Sequence, residues 1–153
     1  PGDADARILR MNALLDLGNV EATETAAGAL PAGGGSAVRG HLLAARGRWA
    51  EATGFYQQAV AASPADAMLR NALGYAQLRS GETETAIESL RGAFDLAPGS
   101  AMVRNNLLLA LTTGGHAPLA EAMLGQIRDG RERDLLRRQI AAEAARLSIR
   151  KDH

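Results

Sequence analysis

Cysteine is absent from the 153 residues, which excludes disulfides, thiolate zinc sites and a cysteine nucleophile and leaves the redox compartment open. Aromatic residues make up only 3% of the chain, while hydrophobic residues reach 46%. A core must therefore be built from alanine and leucine at close helix spacing rather than from rings. Charge of one sign is also lacking: 17 basic and 17 acidic residues give a formal net charge of +0. No global field draws such a chain to nucleic acid or to an anionic membrane. No apolar run approaches the roughly 20 residues of a membrane span. No secretory signal opens the sequence, and Pro1 in place of Met is expected to reflect trimming. Lysine is nearly missing, with Lys151 alone against many arginines, a usage associated with GC-rich bacterial genomes. At this length a single domain is expected, long enough to bury a core without staples.

What the chain does contain is a repeat. Gly40, Gly47, Ala52, Ala59 and Pro64 return 34 residues later as Gly74, Gly81, Ala86, Ala93 and Pro98. The offset carries on more loosely, with Arg70, Asn71, Leu73, Gly81, Ala86 and Leu90 returning as Arg104, Asn105, Leu107, Gly115, Ala120 and Leu124. This third copy has lost the small residue after Leu107 and the closing proline, so it is degenerate. Upstream, Leu17-Gly18, Glu21-Ala22 and Ala29 echo Gly47, Glu51-Ala52 and Ala59 as a partial copy.

Each recurring residue has a physical task. Gly40, Gly74, Ala52, Ala86 and Ala120 fall where the two helices of a pair cross and where a larger side chain would hold the backbones apart; Ala59 and Ala93 do the same one helix later. Gly47, Gly81 and Gly115 are placed to end a first helix with positive φ. Pro64 and Pro98 stop a second helix, and Asp66 and Ser100 stand as N-caps for the next. These stops predict nine helices, at about 4–17, 20–30, 36–46, 49–62, 67–80, 83–96, 101–113, 117–128 and 132–149. No strand pattern competes.

A 34-residue helix-turn-helix period resembles the tetratricopeptide repeat family over roughly residues 4 to 128. The resemblance implies an all-α, right-handed superhelical solenoid of about nine helices, with a C-terminal capping helix. Residues 1–153 then form a single domain: a partial repeat at 4–32, repeats at 33–66 and 67–100, a degenerate repeat at 101–130 and a capping helix at 131–150. In this family the first helix of each pair lines a concave groove that binds a peptide or helix. The lining expected here comprises His41 from the first regular unit and Met68, Asn71, Tyr75, Leu78 and Arg79 from the second. The third contributes Met102, Asn105, Leu109 and Thr112. Asn71 and Asn105 could hold a bound backbone, since an amide both donates and accepts; equally, they could stabilise a helix start or face solvent. Met68 and Met102 would offer adaptable apolar contact. His41 is either a hydrogen-bonding group for a partner or a surface imidazole. Family members that clamp a terminal carboxylate use several basic residues here, whereas this lining has only Arg79.

Support for catalysis is poor. His41, His116 and His153 are far apart, without an HExxH pair, and no serine sits in a GxSxG turn. His116 and His153 are read as solvated, and Glu51, Glu84, Glu88 and Glu121 as outward-facing. Pro31 to Ser36 is glycine-rich, but the lysine and hydroxyl of a phosphate-binding loop do not follow it, so it reads as a flexible joint. No catalytic residue, metal site or cofactor is expected. The basic run from Arg128 to Lys151 is interleaved with Asp129, Glu132, Asp134 and Glu143; it is either a solvated helix face or an anion-binding patch. Leu136, Ile140, Ala144 and Leu147 form one stripe on the last helix, which either caps the repeat stack or meets a partner.

Residues 67–147, with the phrases NALGY and RNNLLLAL and an Arg-rich final helix, resemble more narrowly the tetratricopeptide lipoprotein of the tight-adherence (Tad, or Flp) pilus assembly machinery. That resemblance implies a noncatalytic, pilotin-like scaffold that binds the pilus secretin or another Tad component. It also implies a periplasmic, outer-membrane-associated location through a lipidated cysteine, a residue these 153 positions do not contain. The alternatives are a cytoplasmic tetratricopeptide adaptor or co-chaperone, and the accessory domain of a larger enzyme.

Overall fold

A computed structural model describes residues 18–28 and 35–149. Every regular element among these residues is helical: α1 (Val20–Gly28), α2 (Ser36–Ala45), α3 (Trp49–Ala62), α4 (Ala67–Arg79), α5 (Thr83–Leu96), α6 (Ala101–Thr113), α7 (Ala117–Leu124) and α8 (Gly130–Ile149). The fold is all-α and built from helical hairpins. The helix expected at 4–17, the end of the one expected at 20–30 and most of the glycine-rich joint lie outside the described residues. The chain forms two compact units, Pro1–Ala65 with α1 to α3 and Asp66–His153 with α4 to α8. Their boundary falls where one hairpin ends and the next begins.

In the first unit, α2 and α3 pair. Gly47 has a φ of 73°, which lets its N–H reach Ala44 O at 2.9 Å and the Arg48 N–H reach Leu43 O at 2.8 Å; the last carbonyls of α2 are thus satisfied by a left-handed stop. The two helices cross at Gly40, where a Cβ would stand 2.7 Å from Cε1 of Tyr56. Helix α1 packs on α2, and Arg46 pairs with Glu24 across that contact.

The second unit repeats the device. Asp66 caps α4, its Oδ1 accepting from the N–H groups of Met68 (2.9 Å) and Leu69 (3.1 Å). Ser100 caps α6 by accepting from Val103 N–H at 3.3 Å. Gly81 (φ 92°) and Gly115 (φ 78°) end α4 and α6. At the α4/α5 crossing, a Cβ on Gly74 would meet Leu90 Cγ at 2.5 Å and the Ala86 carbonyl oxygen at 3.2 Å. Ala86 and Ala93 of α5 are both fully buried. The register read from the repeat is therefore the register of the packing.

Two helix ends differ from expectation. Helix α7 stops at Leu124 rather than 128, because Gly125 is a poor helix former and the chain tightens into i→i+3 turns. There Gln126 N–H bonds Met123 O at 3.1 Å and Ile127 N–H bonds Leu124 O at 3.0 Å. The turn returns Ile127 to the core. Helix α8 starts earlier than expected because Asp129 caps it, its Oδ1 accepting from Arg131 N–H at 2.8 Å and Glu132 N–H at 3.3 Å. Leu136, Ile140, Ala144 and Leu147 are all buried and join the core of Leu78, Leu90, Leu107, Leu108 and Leu111. Their stripe closes over α6, which is covered more by α8 than by its own hairpin partner α7.

Candidate partner-binding surface

Helices α4 and α6 are the first members of successive hairpins and lie side by side in the second unit. Nine of the ten expected lining residues sit on these two helices, and the structure sorts them into three kinds.

Three are withdrawn into the interior. Leu78 and Leu109 are 2% and 5% exposed and belong to the core, so neither lines a surface. Asn71 is 6% exposed: its Oδ1 accepts from Asn106 Nδ2 at 2.9 Å and its Nδ2 donates to Met102 Sδ at 3.6 Å. A buried amide must be satisfied internally, and this one is used to lock α4 to α6 rather than offered to a partner. The residue that meets it is Asn106, not the repeat equivalent Asn105. The Asn105-Asn106 doublet was the available signal, but a strict 34-residue offset points to the wrong member of it.

Four are partly committed. Tyr75 is half-buried against the core, and its hydroxyl accepts from Arg79 Nη1 at 3.0 Å, with the guanidinium carbon 5.7 Å from the ring centroid. One turn apart on α4, the two make a single amphipathic feature, a ring edged by a cation. Asn105 Oδ1 accepts from Arg104 Nε at 3.1 Å. The Thr112 hydroxyl donates back to Leu108 O at 2.8 Å, so its proton is already committed within α6.

Two are open: Met68 is 43% and Met102 56% exposed, at equivalent positions on adjacent helices. The tenth residue, His41, lies in the first unit. Its Nδ1 is 2.7 Å from the Tyr56 hydroxyl, and the rings meet edge to face at 5.2 Å. Burial raises the Tyr56 pKa, so the phenol stays protonated and donates to Nδ1 when the imidazole proton is on Nε2. His41 is thus an internal partner of α3 rather than a bare surface imidazole.

Several other polar groups form surface pairs. His116, expected to be solvated, occupies the N-cap position of α7, with Nε2 3.0 Å from Glu84 Oε1. Arg137 bonds Glu121 at 2.9 Å and Asp134 at 2.7 Å; its hydrogen bond is the main reason the Glu121 carboxyl lies below its ordinary range. Arg48 lowers Glu51 in the same way. On α8 the ion-paired arginines are Arg137 and Arg146, the latter 3.3 Å from Glu143, while Arg133 donates to Ile127 O at 3.2 Å. Among the described residues there is no group of three or more His, Cys, Asp or Glu able to hold a metal ion. No helix among them is long and apolar enough to cross a membrane.

Residues 55–88 match the family model of the tetratricopeptide repeat, a span running from the middle of α3 through α4 into α5. No curated protein matches the chain.

Proposed function

We propose, from that tetratricopeptide match, that the protein is a noncatalytic interaction module whose α4/α6 face takes a peptide or helix of a protein partner. Repeats of this kind bind proteins through surfaces built from successive hairpins. The observation that carries the reading is the pair of exposed methionines, Met68 and Met102, in equivalent register on α4 and α6, with the Tyr75–Arg79 unit further along α4. Thioether side chains adapt to varied apolar partners, and the ring and cation on α4 add a specific anchor. The partner assigned by the sequence resemblance is a component of Tad/Flp pilus biogenesis, with the secretin foremost. The protein then works on the periplasmic side of the outer membrane, as a pilotin does.

Co-purification with the Tad secretin, comparing wild type with Met68→Glu/Met102→Glu, tests this directly. Loss of secretin recovery with the helical fold retained is the expected result, the melting temperature falling slightly because the Met102 thioether accepts from Asn71 Nδ2. Full recovery by the double variant would remove the face from consideration, and failure of wild type to retain the secretin would remove the pilotin assignment while leaving the face open to a cytoplasmic partner.

A further inference from the structure

A second candidate site is a cleft of about 410 Å³ in the second unit, to which α6 contributes Arg104. Phe94 of α5, Met123 of α7 and Ile127 after it form its apolar walls; Arg104, Arg128 and Glu132 are its charged members. Ile127 is buried, and Phe94 and Met123 are half-buried against the core, so the walls are held from behind. Arg128 and Glu132 are exposed at the edge, and the cleft opens to solvent. An open cleft cannot enclose a small molecule as a ligand pocket does, but it can receive one side chain of a passing segment.

Its charge is unbalanced, with two guanidiniums facing one carboxylate. Glu132 approaches Arg104 only to 3.8 Å, well outside the roughly 2.7–2.9 Å of a charge-assisted hydrogen bond. By contrast, Arg137 holds its two carboxylates at 2.9 and 2.7 Å. The Arg104 side chain is only 25% exposed, and its Nε is directed by Asn105, so the guanidinium is positioned at limited further entropic cost. Arg128 makes no ion pair among the described residues. A planar fork of donors beside an apolar wall selects a carboxylate carried next to an apolar group.

We propose that this cleft binds an acidic-hydrophobic peptide segment of a partner protein. An apolar side chain enters between Phe94, Met123 and Ile127, and the neighbouring Asp or Glu carboxylate is held by Arg104 and Arg128. Glu132 is the internal competitor, a loosely held carboxylate that the incoming one displaces into water.

The test uses the full chain and two blocked hexapeptides, acetylated and amidated, carrying Leu-Glu or Leu-Gln at their centres and titrated by NMR chemical shift. The Leu-Glu peptide is expected to shift Phe94, Met123 and Ile127 and to bind about tenfold more tightly than the Leu-Gln peptide, as one charged hydrogen bond allows. Arg104→Ala and Arg128→Ala should each remove most of that difference. Glu132→Gln should tighten binding by about twofold to fivefold, the range of a released surface pair. The opposite signs at Arg104 and Glu132 are the signature of competition. If Arg104→Ala lowers the melting temperature, exposed Arg128 carries the comparison. Equal affinity for the two peptides would overturn the proposal, as would weaker binding by Glu132→Gln or shifts confined to Met68 and Met102. Equal binding of a neutral peptide with a free C-terminus would do the same, and so would a dimer of the chain that covers the cleft.

Discussion

Gly74 on α4 and Leu108 on α6 occupy the same position of successive repeats, and the hairpins that contain them close differently. With no side chain at 74, α4 lies on α5 closely enough for Leu90 to fill the crossing, and this is the most extensive helix pairing among the described residues. With leucine at 108, fully buried, α6 cannot be approached in that way. Helix α7 is only 8 residues long, and α8 supplies the missing cover through Leu136, Ile140, Ala144 and Leu147. One methylene-rich side chain thus separates a hairpin that closes on itself from one that needs a third helix. The first unit gives a further variant: Tyr56 stands where Leu90 does, and its ring fills the space above Gly40 while its hydroxyl bonds His41.

The comparison is broken most severely from the α8 side. Leu136→Ala and Ile140→Ala should each cost about 2–5 kcal/mol in chemical denaturation, the range for emptied buried sites. Hydrogen exchange should show α6 losing protection before α4 and α5; equal loss in all three would mean that α8 is not the partner of α6 in particular. Converting the tight hairpin into the open kind comes next. Gly74→Leu should cost about 1–3 kcal/mol through overpacking, since Leu90 Cγ and the backbone oxygen of Ala86 both block the new side chain. A variant as stable as wild type would refute the close crossing.

Tyr56→Phe sharpens the contrast with Leu90. It should cost about 1 kcal/mol at neutral pH, the worth of one hydrogen bond. Burial raises the folded-state pKa of Tyr56 above its ordinary 10.0, so the associated stability is fully present below pH 10 and is lost as pH rises further. The phenylalanine variant should lack that alkaline loss, and parallel melting profiles for the two proteins above pH 10 would contradict it. The smallest effect is at the α7/α8 contact. Glu121 titrates below its ordinary 4.5 because Arg137 hydrogen-bonds its carboxylate, so its contribution is present above pH 4.5 and disappears as pH falls through the lowered value. Glu121→Gln should flatten this part of the acid melting profile slightly. No change between wild type and variant from pH 5 to pH 2 would show the pair to be without consequence.

Much of the fold was legible along the chain. Glycines at 47, 81 and 115 and caps at Asp66 and Ser100 act on backbone groups only a few residues away, so a linear reading finds them. Asp129 acts the same way and could have been read as a cap; the acidic and basic run around it masked the signal. The candidate surface was less legible. The repeat register brought Asn71, Leu78 and Leu109 to the first helices of the pairs, but not to their outer sides. Nothing local distinguishes Asn71, satisfied by Asn106 across 35 residues, from Met68, which remains exposed one turn earlier.

By itself the amino-acid order determined the period, the stops and the crossing points, because steric permission for positive φ, capping and close helix approach belongs to individual residues. Only the tertiary structure decided which side of each helix stays wet. It turned Asn71 inward, bonded His41 to Tyr56 and set Arg104 beside an apolar cleft. Burial and charge pairing are properties of neighbours from different helices, and the energy of a buried polar or charged group depends on which partner the packing delivers.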